Sequence, residues 1–260
     1  MFSNKVVIIT GASSGIGEGL AIRFAKEQAN VCITGRNITN LEKTARKCVE
    51  IGGNKPIMVI GDVTNDEHLK DIVNSTINAF GKIDILINNA GILKTQSLEQ
   101  ITADNYDDVF NTNVRAVVFL SKLVAPYLIQ TKGNIVNVSS LAGMKSYSGS
   151  LSYNMSKAAL DQFTKCTALE LAQKGVRVNS VNPGYIPTNI MRSLPLPDES
   201  FRTKIESAYK TVVPLGRNGT INDVVEAVLY LANENSSFIT GHLLPIDGGR
   251  NLVTPRPNLE

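Results

Sequence analysis

The sequence predicts an α/β domain in which a doubly wound, mostly parallel sheet lies between two layers of helices. Short apolar runs alternate along the chain with longer segments of helical period. Several runs are apolar at consecutive positions, which is typical of parallel strands covered on both faces. Repeated strand–helix units with right-handed crossovers build this three-layer fold. No internal repeat or linker divides the chain, so we expect a single domain over residues 1–260.

Six of the apolar runs are predicted to be strands. They are Val6–Ile9, Val31–Ile33, Ile57–Ile60, Ile83–Ile87, Ile135–Val138 and Val176–Val181. Between them, Ile16, Leu20 and Phe24 recur every four residues and predict a helix that begins near Ile16. A second apolar stripe predicts a helix from Leu69 to Phe80.

Two later helical segments are apolar almost all the way round. They are 114–128 and 158–172, and a helix that covers one face of a sheet needs only one apolar stripe. We therefore expect a second buried contact there, in a homodimer or homotetramer. Burial under the chain's own loops is the alternative.

Residues 185–215 are predicted to form a substrate-binding loop or lid. Five of the ten prolines lie at positions 183, 187, 195, 197 and 214, which leaves room for only one short helix, near 199–209. Long loops in compact domains are usually functional. We expect the substrate wall to combine 93–97, 144–150 and 185–209. The last segment supplies the apolar residues Ile190, Met191, Leu194, Leu196 and Phe201, which suit a lipophilic substrate or simple packing of the lid.

Composition excludes several classes of function. A net charge of +3 without a concentrated basic patch argues against nucleic-acid binding. Three scattered cysteines and two distant histidines favour neither a disulfide scaffold nor a metal site, and they suit a reducing compartment. No apolar run approaches the roughly 18 residues of a membrane span. The chain enters its first strand directly, so we expect no signal peptide, no membrane association and a cytoplasmic location.

A glycine-rich turn follows the first strand. Thr10-Gly11-Ala12-Ser13-Ser14-Gly15-Ile16-Gly17 leads into the first helix. Glycine lets the backbone approach a phosphate closely, and the N–H groups and dipole of a helix N-terminus favour an anion. The G-x-x-x-G-x-G spacing differs from the common dinucleotide pattern. A pyrophosphate site is the functional interpretation, and a tight turn that binds nothing is the structural one.

The other strands are also followed by polar or glycine-bearing segments. Ligands of such sheets bind beyond the carboxyl ends of the strands, so these segments are expected to rim one cleft. They are 35–36, 61–63, 88–91, 139–140 and 182–184.

Tyr153 and Lys157 lie four residues apart on one predicted helix face. An ammonium about 4 Å from a phenol contributes roughly 4 kcal/mol at an effective dielectric constant of about 20. This energy corresponds to a fall of up to roughly 3 units in the phenol pKa, which would make Tyr153 useful as an acid or base near neutral pH. A chance pairing on a helix surface has the same spacing.

Taken together, these motifs resemble the short-chain dehydrogenase/reductase family in its single-domain form, from Lys5 to Gly249. The glycine-rich turn looks like the family's cofactor loop, and 88–91 looks like its N-N-A-G segment. Ser140 precedes Tyr153 by 13 residues, which is the family's usual spacing. The segment 239–249 resembles its closing strand. The resemblance implies a Rossmann fold with seven strands, similar to 3-oxoacyl carrier-protein reductases and carbonyl reductases.

The resemblance also implies roles for individual residues. Tyr153 would be the general acid or base, Ser140 would bind the substrate oxygen with Ser139 as its rival, and Lys157 would tune Tyr153 and hold the nicotinamide ribose. Asn113 would anchor a water that links Lys157 to solvent, although a helix-capping asparagine reads the same locally. The residues expected to bind cofactor are Gly11, Ser13, Ser14, Gly15, Ile16, Gly17, Arg36, Asp62, Val63, Asn89, Ala90, Gly91, Tyr153, Lys157, Pro183, Gly184, Ile186 and Thr188.

The residues after the second strand favour NADP(H), with NAD(H) as the alternative. Enzymes that use NAD usually place a carboxylate there, whereas Gly35 and Arg36 stand at this point of the chain. A guanidinium grips a 2′-phosphate well, although Arg36 could instead stack on adenine.

The sequence therefore predicts an NADPH-dependent reductase of small lipophilic carbonyl compounds. Such an enzyme belongs to the class that acts on CH–OH groups, and here it would work in the direction that reduces the carbonyl to the alcohol. An NAD-dependent alcohol dehydrogenase and a catalytically silent dinucleotide-binding scaffold are the alternatives. An acidic carrier protein as partner would need a basic landing patch, for which Lys132 and Lys174 are the candidates.

Overall fold

The computed structural model describes residues 1–190 and 198–253. Its strands are β1 (Val6–Thr10), β2 (Asn30–Gly35), β3 (Ile57–Ile60), β4 (Ile85–Asn88), β5 (Asn134–Val138), β6 (Arg177–Pro183) and β7 (Leu243–Ile246). Its α-helices are α1 (Gly15–Lys26), α2 (Ile38–Glu50), α3 (Asp66–Phe80), α4 (Ala103–Phe110), α5 (Ala116–Thr131), α6 (Leu151–Ala172), α7 (Glu199–Val212) and α8 (Ile221–Ala232). A π-helical turn, Asn111–Arg115, joins α4 to α5.

The seven strands form one parallel sheet in the order β3-β2-β1-β4-β5-β6-β7. Helices cover both faces, so the predicted doubly wound Rossmann fold is confirmed. The chain reverses its direction of winding between β1 and β4, and this switch point opens a crevice beyond the carboxyl ends of the strands. The crevice positions the site described below.

Successive side chains of a strand point to opposite faces of the sheet, and this divides the core into two clusters. Val7 and Ile9 point to the cluster formed with α1, α2 and α8, whereas Ile8 points to the cluster formed with α3, α5 and α6. All three side chains are fully buried. Both faces of β1 are therefore apolar, which explains the uninterrupted apolar run in its sequence.

The segment 103–131, which comprises α4, the π-helical turn and α5, is the one helical stretch of the described residues that is long and apolar enough to cross a membrane. The expectation that no segment approaches a membrane span is therefore wrong by this criterion. The charged residues of this segment are three aspartates in α4 and, further along, Arg115 and Lys122. Leu120 and Val124 pack against the sheet, while Phe119 on the outer side remains 40% exposed.

The proline-rich region contains α7, which agrees with the short helix expected near 199–209. Residues 191–197 lie outside the described part of the chain, so the expectations for Met191, Leu194 and Leu196 stay predictions. The same holds for the side chain of Phe201.

Candidate active site

The glycine-rich turn after β1 forms a cradle at the N-terminus of α1. Gly11 and Gly15 have φ angles of +65° and +61°, a conformation that favours glycine. Ser14 occupies the N-cap position, but its side chain makes no capping hydrogen bond. The first N–H groups of α1 therefore remain available to an anion, and this turn fits the pyrophosphate of a dinucleotide.

Gly17 has a different role from the one expected of a cofactor-binding residue. It is buried and does not line the cavity in front of the cradle. A Cβ at this position would collide with the carbonyl oxygen of Gly11 and the side-chain amide of Asn89. Gly17 thus allows α1 to pack closely against the turn.

Hydrogen bonds between β1 and the segment after β4 hold the two sides of the crevice together. The Thr10 hydroxyl accepts from the backbone N–H groups of Asn89 and Ala90, at 3.0 and 2.9 Å. The Asn89 side chain donates to the Thr10 carbonyl at 2.8 Å. Thr10 was missed in the sequence because its role depends on a partner 79 residues away.

A cavity of about 760 Å³ runs from this cradle to the residues around Tyr153. All five segments expected to rim a cleft contribute residues to its lining. Of the residues expected to bind cofactor, those lining the cavity are Gly11, Ser13, Ser14, Gly15, Ile16, Arg36, Asp62, Val63, Asn89, Ala90, Gly91, Tyr153, Lys157, Pro183, Gly184, Ile186 and Thr188.

The far end of the cavity carries a positive charge. Arg36 is 71% exposed and donates to Asp62 over a long 3.4 Å. Burial raises the pKa of Asp62, but hydrogen bonds from Thr64 and the charge of Arg36 lower it further, so the net shift is downward. An ideal Cβ at Gly35 would lie 3.3 Å from the Ser13 hydroxyl. A carboxylate at position 35 would crowd this end, whereas glycine leaves it open.

Tyr153, Ser140 and Lys157 meet at the other end. Ser140 follows β5, and its hydroxyl lies close enough to the Tyr153 phenol to lower the pKa of the phenol. Ser139 instead directs its hydroxyl to the Lys157 carbonyl, at 3.3 Å, and is buried. Ser140 is therefore the serine that faces the phenol, in agreement with the 13-residue spacing.

The pKa of Tyr153 differs from expectation. Burial raises the pKa of its phenol, and the hydrogen bond with Ser140 offsets this only in part. The expected fall caused by Lys157 is not present, because burial outweighs every effect that lowers the pKa of Tyr153. Lys157 lies 5.8 Å from the centre of the Tyr153 ring and donates to the Val138 carbonyl at 2.9 Å. Its ammonium is thus directed at a backbone oxygen.

Lys157 is itself strongly perturbed. Its side chain is 4% exposed, and burial lowers the pKa of its amine to about 8, although the charge of Asp161 opposes the fall. At neutral pH the amine is still mainly charged. The site therefore holds a protonated phenol beside an ammonium that is close to its titration point.

Asn113 lies in the π-helical turn, but its side chain does not line the cavity. Its amide donates to the Ile92 carbonyl at 2.9 Å and to the Ser156 hydroxyl at 3.0 Å, and its oxygen accepts from the Ile92 N–H at 2.8 Å. Asn113 thus fixes the backbone beside Gly91, where an ideal Cβ would be 3.6 Å from the Lys157 amine. The expected water link stays a prediction.

A buried network behind the site was missed in the sequence. Asp161 is one helical turn beyond Lys157 and accepts two hydrogen bonds of 2.9 Å from the Asn182 amide. The same amide donates to the Ser140 carbonyl at 3.0 Å. A Cβ at Gly143 would strike the Asp161 carboxylate. One sequence signal was available: Tyr153, Lys157 and Asp161 are spaced by four residues, which places all three on one face of α6.

The expected substrate wall lies around the same cavity. Its three segments contribute Leu93, Thr95, Tyr147, Ser148, Ser150, Tyr185, Asn189, Ile190, Ile205 and Tyr209. The rings of Tyr185 and Tyr209 stack 4.2 Å apart. In residues 1–190 and 198–253, no group of three or more His, Cys, Asp or Glu side chains is placed to hold a metal ion.

Residues 11–251 match the family model described as enoyl-(acyl carrier protein) reductase. This chain belongs to the short-chain dehydrogenase/reductase family. Its relatives include a 3-oxoacyl-[acyl-carrier-protein] reductase of Thermotoga maritima, 37% identical over 94% of this chain and 97% of the relative. A glucose 1-dehydrogenase of Gluconobacter oxydans is 34% identical over 96% of this chain and 93% of the relative.

A solved structure shows the same relationship. A short-chain dehydrogenase/reductase from Caenorhabditis elegans, crystallised with cofactor, is 41% identical and superposes with a TM-score of 0.92, covering 97% of both chains. This chain is therefore an oxidoreductase of a family that binds a nicotinamide dinucleotide and acts on CH–OH or carbonyl groups.

Proposed function

We propose that this chain is an NADPH-dependent carbonyl reductase that acts on small lipophilic ketones or aldehydes. The observation that carries the proposal is that Tyr153 and Ser140 line one end of a cavity whose other end is the glycine-rich turn at the N-terminus of α1. When bound, the reduced nicotinamide supplies the hydride. The protein supplies position, charge and a proton.

The protonation states favour reduction over oxidation. Because burial raises the pKa of Tyr153, its phenol keeps its proton at neutral pH and is ready to act as general acid toward a carbonyl oxygen. Ser140 is placed to donate a hydrogen bond to the same oxygen as negative charge develops on it. To stabilise the phenolate that remains after proton transfer, the Lys157 ammonium must turn from the Val138 carbonyl toward the phenol oxygen.

The preference for NADPH rests on the adenosine end of the cavity. Arg36 offers a mostly exposed guanidinium whose only partner among the described residues is Asp62, at 3.4 Å. No carboxylate occupies position 35. A 2′-phosphate would exchange this weak contact for a charge-assisted one.

The test is a panel of ketones, aldehydes and the corresponding alcohols, assayed with NADPH and with NADH. The proposal expects reduction of apolar carbonyl compounds with a clear preference for NADPH. A preference for NADH with alcohols would favour the alcohol-dehydrogenase alternative. Dinucleotide binding, detected by NADPH fluorescence, without turnover of any compound would favour the scaffold.

We also propose that the chain works in the cytoplasm as a homodimer or homotetramer. Phe119 on α5 is 40% exposed, and Met155 and Leu169 on α6 are 43% and 81% exposed, which leaves apolar surface for a second copy to cover. Sedimentation of the wild-type protein and of a Leu169→Glu variant tests the assembly. A monomeric wild-type protein at micromolar concentration would contradict it.

A further inference from the structure

Arg250 follows β7 on a tightly held turn. Gly248 and Gly249 have φ angles of +61° and +87°, and the Asp247 carboxylate accepts from the N–H groups of Gly249 and Asn251 at 3.0 and 2.6 Å. The Lys145 amine donates to the Arg250 carbonyl at 3.4 Å. The backbone of Arg250 is therefore anchored from both sides.

The side chain of Arg250 lines the same cavity as Tyr153 and is half-buried. Within residues 1–190 and 198–253, no side chain or carbonyl forms an ion pair or hydrogen bond with its guanidinium. The nearest carboxylate along the chain, Asp247, uses its oxygens on the two backbone N–H groups of the turn. A half-buried arginine without an anion is unusual, because its desolvation is ordinarily compensated by a partner.

Arg250 shares the lining of the cavity with Tyr147, Tyr209 and Asp247. Burial raises the pKa of Tyr147. The charge of Arg250 is close enough to lower this pKa, and Tyr209 and Asp247 are close enough to raise it. These four groups therefore share one wall of the cavity. At a half-buried position a guanidinium binds a carboxylate or phosphate more strongly than it does in water, and its planar fork allows two parallel hydrogen bonds.

We propose that Arg250 binds an anionic group, a carboxylate or a phosphate, carried by the carbonyl substrate of this enzyme. The inference rests on the proposed function and narrows it: the preferred substrate has an apolar body that packs against Tyr147 and Tyr209, and an anion at the end distant from its carbonyl. The Arg250 guanidinium binds the anion, and the Tyr153 phenol donates its proton to the carbonyl oxygen.

The experiment compares the 4-, 5- and 6-oxo acids of six to eight carbons with their methyl esters, and the phosphate monoester of 6-hydroxy-2-hexanone with 6-hydroxy-2-hexanone itself. The wild-type enzyme is expected to show a higher kcat/KM for the charged member of at least one pair, and the pair that responds identifies carboxylate or phosphate. In Arg250→Gln, kcat/KM for that charged compound falls at least tenfold and that of its neutral counterpart changes less than threefold. Arg250→Lys gives an intermediate value.

Arg46→Gln is the matched control, because Arg46 is exposed on α2 and does not line the cavity. It removes the same charge and should leave both kcat/KM values unchanged. Equal losses for charged and neutral compounds in Arg250→Gln, or no preference for either anion in the wild-type enzyme, would overturn the proposal.

A binding measurement separates this proposal from the proposed function. The complex of Tyr153→Phe with NADPH is titrated with the oxo acids, the phosphate and their neutral counterparts, and the dissociation constants are measured by calorimetry. The anion site is supported if the charged compounds bind more tightly than their neutral counterparts and if this difference is lost in the double variant with Arg250→Gln. This holds even if the wild-type enzyme reduces none of the compounds. Equal affinities for anions and neutral counterparts would overturn it even if ketones are reduced.

Discussion

Replacing Lys157 by methionine should abolish turnover and yet stabilise the ligand-free protein at neutral pH. Lys157 is 4% exposed, and its pKa falls from 10.5 in the unfolded chain to about 8 in the folded one. Between these two values the unfolded state binds more protons. The stability of the wild-type protein therefore rises as the pH is raised from about 8 toward 10.5, and below pH 8 the folded state bears the full cost of a buried ammonium.

The size of the effect follows from the same shift. A gap of about two and a half pH units corresponds to about 3 kcal/mol. Methionine avoids this cost but leaves the Val138 carbonyl without the hydrogen bond from Lys157, a loss of about 1 kcal/mol. It also removes the ammonium that faces Asp161. We therefore expect Lys157→Met to gain about 1–2 kcal/mol at pH 7, and to gain progressively less toward pH 10.5.

Urea unfolding of the dinucleotide-free proteins at pH 7 and pH 10 measures this difference. Lys165→Met is the control, since Lys165 is exposed on the same helix. If Lys157→Met is less stable than the wild type at pH 7, or if the difference between them does not change with pH, the reasoning about the buried amine is refuted.

Three further predictions concern the cofactor, the buried acid and the glycine turn. Arg36→Glu should raise the KM for NADPH roughly tenfold or more and the KM for NADH less than twofold, because a charge-assisted contact with a phosphate is lost; equal effects in steady-state assays with both cofactors would refute the phosphate contact. Asp161→Asn should lower the pKa of Lys157 below about 8, because the charge of Asp161 raises it. The fall in the rate of reduction at high pH should therefore move to lower pH. A pH profile that does not move would contradict this role of Asp161. Gly17→Ala should weaken NADPH binding at least tenfold and lower Tm, because the added methyl collides with the turn; calorimetric titration with unchanged affinity would show that the turn accommodates it.

Much of the fold was predictable because its signals are local. The strand residues Val7, Ile8 and Ile9 are buried on both faces, and such strands appear in the sequence as apolar runs. Pro183 ends β6, and this agrees with the loop predicted to follow it. The seventh strand was expected only from the family resemblance. Its four-residue sequence, Leu243–Ile246, is partly buried and contains a proline, so it carries a weak strand signal.

The site was predictable as a set of residues but not as an electrostatic arrangement. The spacing of Tyr153 and Lys157 placed both at the cavity, but it could not show that the Lys157 amine would turn to the Val138 carbonyl. The direction of the Tyr153 pKa shift depends on burial by parts of the chain distant in sequence. For the same reason, the sequence could not show that Asn113 contacts Ile92, and the spacing that places Asp161 on the face of Lys157 could not show that its partner is Asn182.

The most direct measurement of the central claim is the turnover of Tyr153→Phe, with NADPH affinity determined on the same preparation. If the Tyr153 phenol delivers the proton to the carbonyl oxygen, kcat falls by about 10²- to 10⁴-fold, the range that general acid catalysis supplies, while the dissociation constant for NADPH changes less than threefold. Turnover within tenfold of the wild-type enzyme, with NADPH still bound, would contradict the account.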